Sequence, residues 1–279
     1  MGIGWSGRDG QCRLDRPIEF INPALLERQL AGLRWPFRVE LLEQCESTNS
    51  LLQTRARDGA PHCSVLACEH QSAGRGRRGS PWLTMPGAGL AFSVLWRSGR
   101  AAGELSGISL AVGVALARAA EGLGAPRIGL KWPNDLILSG AKLGGILVEM
   151  QGGVGTGSAL VIGIGLNVCI PQALRRAIDV PVADLSTGGN APSRTMLLAR
   201  LLSELGGALE LFEGEGFGPL RNDWLARHVM QDMPVALKAG ERRIAEGTAV
   251  GVGDDGALLL QVAGRVERFY AGELSLRAR

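Results

Sequence analysis

The run Ala159-Leu160-Val161-Ile162-Gly163-Ile164-Gly165-Leu166-Asn167-Val168 constrains the fold more than any other feature of the chain. It is almost wholly apolar and lies in no helical pattern, which describes a central strand covered on both faces. Such a strand needs neighbours in a sheet and helices packed over it. The flanking sequence supplies both. Asn22-Pro23 caps a short amphipathic helix through about Leu30, and Ser47-Thr48 opens a second that stops at Asp58-Gly59. Val65–Glu69 and Leu90–Trp96 read as strands, Leu105–Leu123 as a long alanine-rich helix. Ile128–Trp132, Leu136–Leu138 and Ile146–Met150 follow as strands in quick succession. Ser193 caps a helix to about Phe212, with leucines at helical spacing, and a shorter helix lies near Pro219–His228. The expected fold is α+β, a mixed β-sheet with packed helices.

From Pro234 the pattern changes to short strands: Pro234–Lys238, Arg243–Gly251, Ala257–Val262 and Val266–Ala271. Asp254-Asp255-Gly256 supplies a hairpin turn between two of them. A tail of about 46 residues is large enough only for a small β-barrel. Residues 1–20 are Gly- and Arg-rich without periodicity and read as a loose tail. The division expected is therefore 1–20, 21–230 and 231–279.

The bulk numbers exclude several classes. A formal net charge of +3 is too small to argue for a nucleic-acid or membrane partner. Five cysteines (Cys12, Cys45, Cys63, Cys68, Cys169) without Cys-x-x-Cys spacing, beside three histidines, point to reduced cytoplasmic thiols rather than zinc. No signal peptide is evident, and no apolar run reaches the length of a membrane span. Gly2 and Ser6 fit the loose myristoylation pattern, but the pattern is short and a flexible start is the preferred explanation. Walker and nucleophile-elbow motifs are absent.

Only three of the 30 basic residues are lysines, Lys131, Lys142 and Lys238, and two of them lie eleven residues apart. A compact ammonium and a planar guanidinium are not equivalent near a phosphate, so the pair marks a place to look. Lys131-Trp132-Pro133-Asn134-Asp135 breaks at a strand end, where a lysine, an amide and a carboxylate could serve an anion, a polar ligand and a magnesium ion; a charged hairpin tip is the plain alternative. Lys142-Leu143-Gly144-Gly145 enters a strand with two glycines, which leave room for something flat. Gly163 and Gly165 repeat the theme beside Asn167, a candidate for reading a base or a satisfied core amide. Gly74-Arg75-Gly76-Arg77-Arg78-Gly79 matches G-x-G-x-x-G, but Ser80-Pro81-Trp82 follows instead of a helix. A flexible basic loop closing over an anion fits better, with a solvated turn as the alternative. Ser47-Thr48-Asn49 is explained by a helix cap alone.

Taken in order and spacing, these segments resemble the biotin–protein ligases over about residues 40–279. The carriers are Ser47-Thr48-Asn49, then Gln71 and Gly74–Gly79, then Lys131–Asp135, then Lys142–Glu149, then Gly163–Val168. Gly272-Glu273-Leu274-Ser275-Leu276-Arg277 resembles the last strand of that family's small SH3-like domain. The resemblance implies a class II synthetase-like catalytic domain and an ATP-dependent ligase. Such an enzyme adenylates biotin to biotinyl-5′-AMP and passes it to a lysine of a carboxylase's biotin carrier domain. Ser47, Thr48, Asn49, Gln71, Arg75, Gly76, Arg77, Lys142, Gly144, Gly145 and Gly165 would then bind biotin. Arg75, Arg77, Trp82, Lys131 and Asn167 would bind ATP or the adenylate, Lys131, Lys142 and Arg77 would carry the chemistry, and Asp135 would hold Mg2+. The family's loop usually continues with a further basic residue where Ser80-Pro81 stand here. Only 46 residues precede Ser47, so neither the winged helix of some members nor DNA binding is expected. The partner expected is a carrier protein in the cytoplasm, with a homodimer left open. The rivals are a lipoate- or octanoyl-type ligase and a non-enzymatic biotin sensor.

Overall fold

The computed structural model describes residues 5–8, 11–14, 18–152, 158–187, 189 and 191–278. The chain runs β1 (Trp5–Arg8), β2 (Gln11–Leu14), α1 (Pro23–Leu30), β3 (Arg38–Cys45), α2 (Thr48–Arg57), β4 (Ser64–Gln71) and β5 (Gly89–Ser98). Next come α3 (Ile108–Glu121), β6 (Gly129–Lys131), β7 (Asp135–Leu138), β8 (Ala141–Gly152) and β9 (Ser158–Asn167). Helices α4 (Gln172–Arg176), α5 (Arg194–Glu215) and α6 (Gly218–Leu225) precede a last run of strands. These are β10 (Pro234–Ala239), β11 (Arg242–Val252), β12 (Leu258–Val262), β13 (Arg265–Phe269) and β14 (Leu274–Ala278).

A seven-stranded sheet of order β3-β4-β5-β9-β8-β7-β6 forms the body, and β9 is its middle strand. Only β3 and β4 run parallel; every other neighbouring pair is antiparallel, so the sheet is mixed. Alternation along the strands divides two apolar layers. Val65 and Ala67 face the larger core with α3 and α5. Leu66, between them, faces Leu52 and Ala56 of α2 with Leu95 and Val161. Burying a leucine such as Leu52, 0% exposed, contributes roughly 1.5–3 kcal/mol.

Several boundaries differ from the sequence reading. Helix α3 begins at Ile108, not Leu105, because Gly107 takes a left-handed conformation (φ 84°) just before it. Strand β8 starts five residues before Ile146, its first turn of sequence masked by the glycine pair. Strand β3 gave no sequence signal: it is an edge strand whose residues are all exposed or half-buried. By length and hydropathy, Ala102–Glu121 does qualify as a membrane span, against the expectation of none. The fold accounts for the apolarity: α3 packs between the sheet and α5, with Val112, Val114, Leu116 and Ala117 fully buried.

The expectation of a loose tail over 1–20 falls partly on residues outside those described; β1 and β2 pair antiparallel within it. By Glu19 the chain is anchored. The Glu19 carboxylate accepts from Ser193 Oγ (2.7 Å) and the Arg194 backbone N–H (3.0 Å), capping the start of α5. Arg194, 2% exposed, answers with an ion pair to Glu69 at 2.8 Å.

The C-terminal strands form a five-stranded antiparallel sheet of order β13-β12-β11-β10-β14. Among the described residues the order is open, with β13 and β14 at its two ends, so the closed barrel expected from the strand count is not seen. This sheet is bound into the body. The buried Trp132 donates its indole N–H to Gly256 O at 3.2 Å, in the Asp254-Asp255-Gly256 turn. A Cβ on Gly256 would lie 2.4 Å from Gly107 Cα, so only glycine permits that approach. Residues 227–229 complete the joint by pairing along the outer edge of β6, through Leu130 N–H to Arg227 O (2.8 Å) and Val229 N–H to Leu130 O (3.0 Å).

His228 in this joint has a buried Nε2 without a hydrogen-bond partner, and burial drives its pKa from 6.5 down to about 4. The folded form therefore stays neutral where the unfolded chain binds a proton. Stability is full above pH 6.5 and falls as pH drops through that value towards 4, by about 3 kcal/mol. Urea unfolding of wild type and His228→Phe at pH 7 and pH 4.5 checks this, because the variant should lose the smaller share of its stability. Equal losses would refute it.

Candidate active site

A cavity of about 910 Å³ opens on the α2 side of the sheet. Its floor is the start of α2 and the glycine-bearing stretch of β9. Its walls are the Gly74–Trp82 loop, the β6–β7 hairpin, the 177–182 loop and the rim of the C-terminal sheet. Seven basic side chains line it (Arg75, Arg77, Arg78, Lys131, Lys142, Lys238, Arg277) against three acidic ones (Asp135, Asp179, Glu241). An excess of positive charge in a concave, partly desolvated space favours a polyanion.

Of the residues singled out from sequence, Ser47, Thr48, Asn49, Gln71, Arg75, Gly76, Arg77, Trp82, Lys131, Asp135, Lys142, Gly145, Gly165 and Asn167 all line this one cavity. Gly144 does not. It lies on the opposite face of β8, where a Cβ would meet Gly165 O at 2.8 Å and Leu166 Cδ1 at 3.0 Å. Two consecutive strand residues cannot both face the same side, so Gly144 serves close strand packing and Gly145 the cavity.

Asp135 sits between the paired lysines. Its Oδ2 is 3.1 Å from Lys131 Nζ and its Oδ1 is 2.7 Å from Lys142 Nζ, with the carboxylate side chain 15% exposed. Burial pushes its pKa up, but the two ammonium groups outweigh that and hold it below the usual aspartate range. Both oxygens are thus committed to cations. That does not fit the magnesium role expected of Asp135, and among the described residues no group of three or more His, Cys, Asp or Glu side chains could hold a metal. Asp135 acts instead as the counter-ion that holds two ammonium groups side by side.

The arginines of the loop are engaged with the protein. Arg75 forms a bidentate pair with Glu149 (2.7 and 3.0 Å) and donates from Nε to Ser50 Oγ at 3.2 Å. Its guanidinium therefore anchors the loop rather than reaching free into the cavity. Arg77 donates to Asn134 Oδ1 (3.1 Å) and to the carbonyls of Gly272 (2.6 Å) and Leu274 (3.0 Å) at the start of β14. Burial, then the neighbouring Arg78, lowers its pKa. The loop itself closes as a small hairpin, with Gly76 N–H to Ser80 O at 2.7 Å and Trp82 N–H to Gly74 O at 2.8 Å, so Ser80-Pro81 are built into it.

Trp82 lies flat against β9: a Cβ on Gly165 would fall 2.3–2.6 Å from its indole. Lys142 Nζ stands 5.9 Å from the ring centroid. Asn167 lines the cavity, but its amide N–H groups go to Lys142 O (3.3 Å) and Ala183 O (3.0 Å), clamping the 181–183 segment to β8.

Sequence reasoning passed over four contributors. Lys238 lines the same cavity, so all three lysines of the chain converge there; their rarity was the available signal. Ser93 and Glu149 support the floor from behind. Asp184, 1% exposed, accepts from Ile170 N–H (2.7 Å), Ser186 Oγ (2.6 Å) and Arg175, fixing the loop that walls the cavity. Ser93 and Asp184 are single residues on apolar or loop segments that nothing local distinguishes; Glu149 ends the Lys142–Glu149 motif, which assigned it no role.

The sequence profile of the Biotin/lipoate A/B protein ligase family matches residues 41–167, and that of the Biotin protein ligase C terminal domain matches residues 233–277. The chain is 36% identical over 265 residues to the bifunctional ligase/repressor BirA of Salmonella typhimurium, covering 95% of this chain and 81% of that protein. It is 34% identical to the biotin–[acetyl-CoA-carboxylase] ligase of Mycobacterium tuberculosis, covering 91% and 96% of the two chains. The biotin protein ligase of Aquifex aeolicus, solved in complex with biotin and ATP, superposes with a TM-score of 0.73 at 26% identity, covering 88% of this chain and all of that one. Fold and site thus define a ligase of the biotin/lipoate class, and the chain belongs to the biotin–protein ligase family.

Proposed function

We propose that the cavity holds biotin and ATP end to end and that the chain works as a biotin–[acetyl-CoA-carboxylase] ligase. The observation that carries the reading is the convergence of Lys131, Lys142 and Lys238 on one basic cavity whose other end is a buried polar floor. An acid does not condense with an amine at neutral pH until it is activated. A biotin carboxylate oxygen attacks the α-phosphorus of ATP, forming biotinyl-5′-AMP and expelling pyrophosphate. The carrier lysine then attacks the acyl carbon, forming the amide, and AMP leaves with the bonding electrons.

Both steps need alignment and neutralisation of phosphate charge rather than a nucleophile on the enzyme. Lys131 and Lys142, spaced by Asp135, are suited to the reacting carboxylate and α-phosphate oxygens. Ser47, Thr48, Asn49 and Gln71 suit the polar ring of biotin; Gly163 and Gly165 let Asn49 and the Trp82 indole close onto β9 and shape the pocket around it. Lys238 and Arg277 extend the basic lining onto the C-terminal sheet, beside Arg77. That sheet is read as the family's SH3-like module, spanning 231–279 after a catalytic unit of 21–230. The catalytic unit is read as class II synthetase-like. A biotin carrier domain is the acceptor, and the cytoplasm is where such acceptors are made.

Pyrophosphate release tests the reading. With ATP, biotin should trigger release and lipoate should not, and adding a biotin carrier domain should yield carrier-bound biotin. Release driven by lipoate alone would select a lipoate ligase. Tight biotin binding with no release would select a sensor.

A further inference from the structure

We infer that Arg175 and Asp184 form a clasp, behind the cavity wall, that fixes the main chain of Lys142 and so sets where its ammonium stands. The inference rests on the proposed function, in which Lys142 meets the reacting oxygens. Lys142 lies where the sheet stops supporting β8. Pairing of β8 with β9 begins only at Gly144, opposite Leu166, and β9 ends at Asn167. On its other side Lys142 stands opposite Ile137 of β7, beside a register shift that skips Leu143.

The main-chain N–H and C=O of Lys142 still need partners. A loop segment supplies both. Lys142 N–H donates to Pro181 O at 3.0 Å, and Ala183 N–H donates to Lys142 O at 2.9 Å. This is a parallel bridge between Lys142 and Val182, one residue long. The segment 181–183 therefore stands in for β9 beside Lys142.

That segment is held from behind. Arg175, on α4, donates from Nη1 to Val182 O at 2.7 Å and from Nη2 to the Asp184 carboxylate. Asp184, 1% exposed, also accepts from Ile170 N–H (2.7 Å), Ser186 N–H (3.1 Å) and Ser186 Oγ (2.6 Å). One buried carboxylate thus joins the chain leaving β9 to the chain leaving the segment. The guanidinium, with donors on separate nitrogens, ties the bridge residue to that carboxylate. Neither Arg175 nor Asp184 lines the cavity, so both are positioning residues that act through Lys142. Were the segment to drift, the Lys142 main chain would keep only the longer bond to its carbonyl from Asn167 Nδ2, at 3.3 Å.

The scarcity of lysine makes the test direct. Isotopic labelling of lysine nitrogen gives three backbone amide signals, from Lys131, Lys142 and Lys238, which Lys131→Arg and Lys142→Arg assign. In Arg175→Met, hydrogen exchange at the Lys142 amide should speed by about tenfold or more, while Lys238 keeps its wild-type rate. The Arg175 side chain is 35% exposed, so this variant spares the core. Asp184→Ala should act in the same direction and gives a second reading. Biotin-driven pyrophosphate release should slow by about tenfold in Arg175→Met, yet in a Lys142→Ala background the same change should cost less than about threefold. Unchanged exchange at Lys142 would overturn the inference, as would equal acceleration at all three amides, the mark of general loosening. So would a loss of about tenfold that persists alongside Lys142→Ala, because the pair would then act elsewhere. Absence of biotin-driven release from wild type would overturn the proposed function instead, while the exchange rates still decide whether the clasp holds Lys142.

Discussion

Lys142→Arg is expected to lower the rate of biotin adenylation by roughly 100-fold, and Lys131→Arg to do the same, with the fold intact. Charge is kept in both variants; geometry is not. Each oxygen of Asp135 faces a different ammonium, at 2.7 and 3.1 Å. A guanidinium is a planar fork that grips both oxygens of one carboxylate. Placed at 142, it would take the whole carboxylate and leave Lys131 without its partner. Two point charges that should meet one phosphate would become a fork turned onto Asp135. Pyrophosphate release at saturating biotin and ATP, beside thermal unfolding, measures the effect. Wild-type turnover in either variant would remove the role assigned to that lysine. The arrangement should tolerate mild acid, because Asp135 titrates below the ordinary aspartate range. Its contribution is present above that range and is lost only as pH falls through the lowered value.

Gly163→Ala should weaken biotin binding by roughly 100-fold, equivalent to about 3 kcal/mol. An added Cβ would lie 2.2 Å from Asn49 Oδ1, 2.7 Å from Cγ and 2.9 Å from Nδ2. No rotamer of a side chain that short keeps its hydrogen bonds and clears such a contact. Overpacking a tight interior costs about 1–3 kcal/mol, and losing a hydrogen bond to a charged group about 1.5–3. Asn49 would leave Glu149 and Ser93, and the floor would open. The lysine end, on other strands, is untouched. Calorimetry should therefore show the loss for biotin, while the KM for ATP changes little. An unaltered Kd for biotin would show that Asn49 has no part in the floor.

Much of this was legible in the chain. The apolar run 159–168 announced the middle strand, and Asn22-Pro23 and Ser47-Thr48 marked helix starts that the structure keeps. Lys131 and Lys142 stood out because lysine is so scarce here. Each of these is a local signal, carried by propensity, capping or periodicity over a few residues. The misses have one cause. Strand β3 owes its existence to pairing with β4 across 18 or more residues of chain, and an edge strand has too little burial to leave an alternating pattern. Gly144 and Gly145 are alike in sequence, and only the pleat of β8 decides which one meets the cavity. Asp135 resembles a metal ligand until both of its oxygens are found in ion pairs.

The sequence by itself determined which residue types would be present and roughly which elements would carry them: a sheet with helices, a small β-rich end, a basic glycine loop and a scarce pair of lysines. The tertiary structure alone decided the partners. It gave Arg75 to Glu149, Arg77 to the start of β14, Asn167 to the 181–183 segment, and Lys238 to a cavity more than 90 residues away in sequence from Lys142. The physical reason is that propensity acts between neighbours along the chain. Whether a charged or hydrogen-bonding group is free for a ligand depends on which distant groups the fold brings within about 3 Å of it.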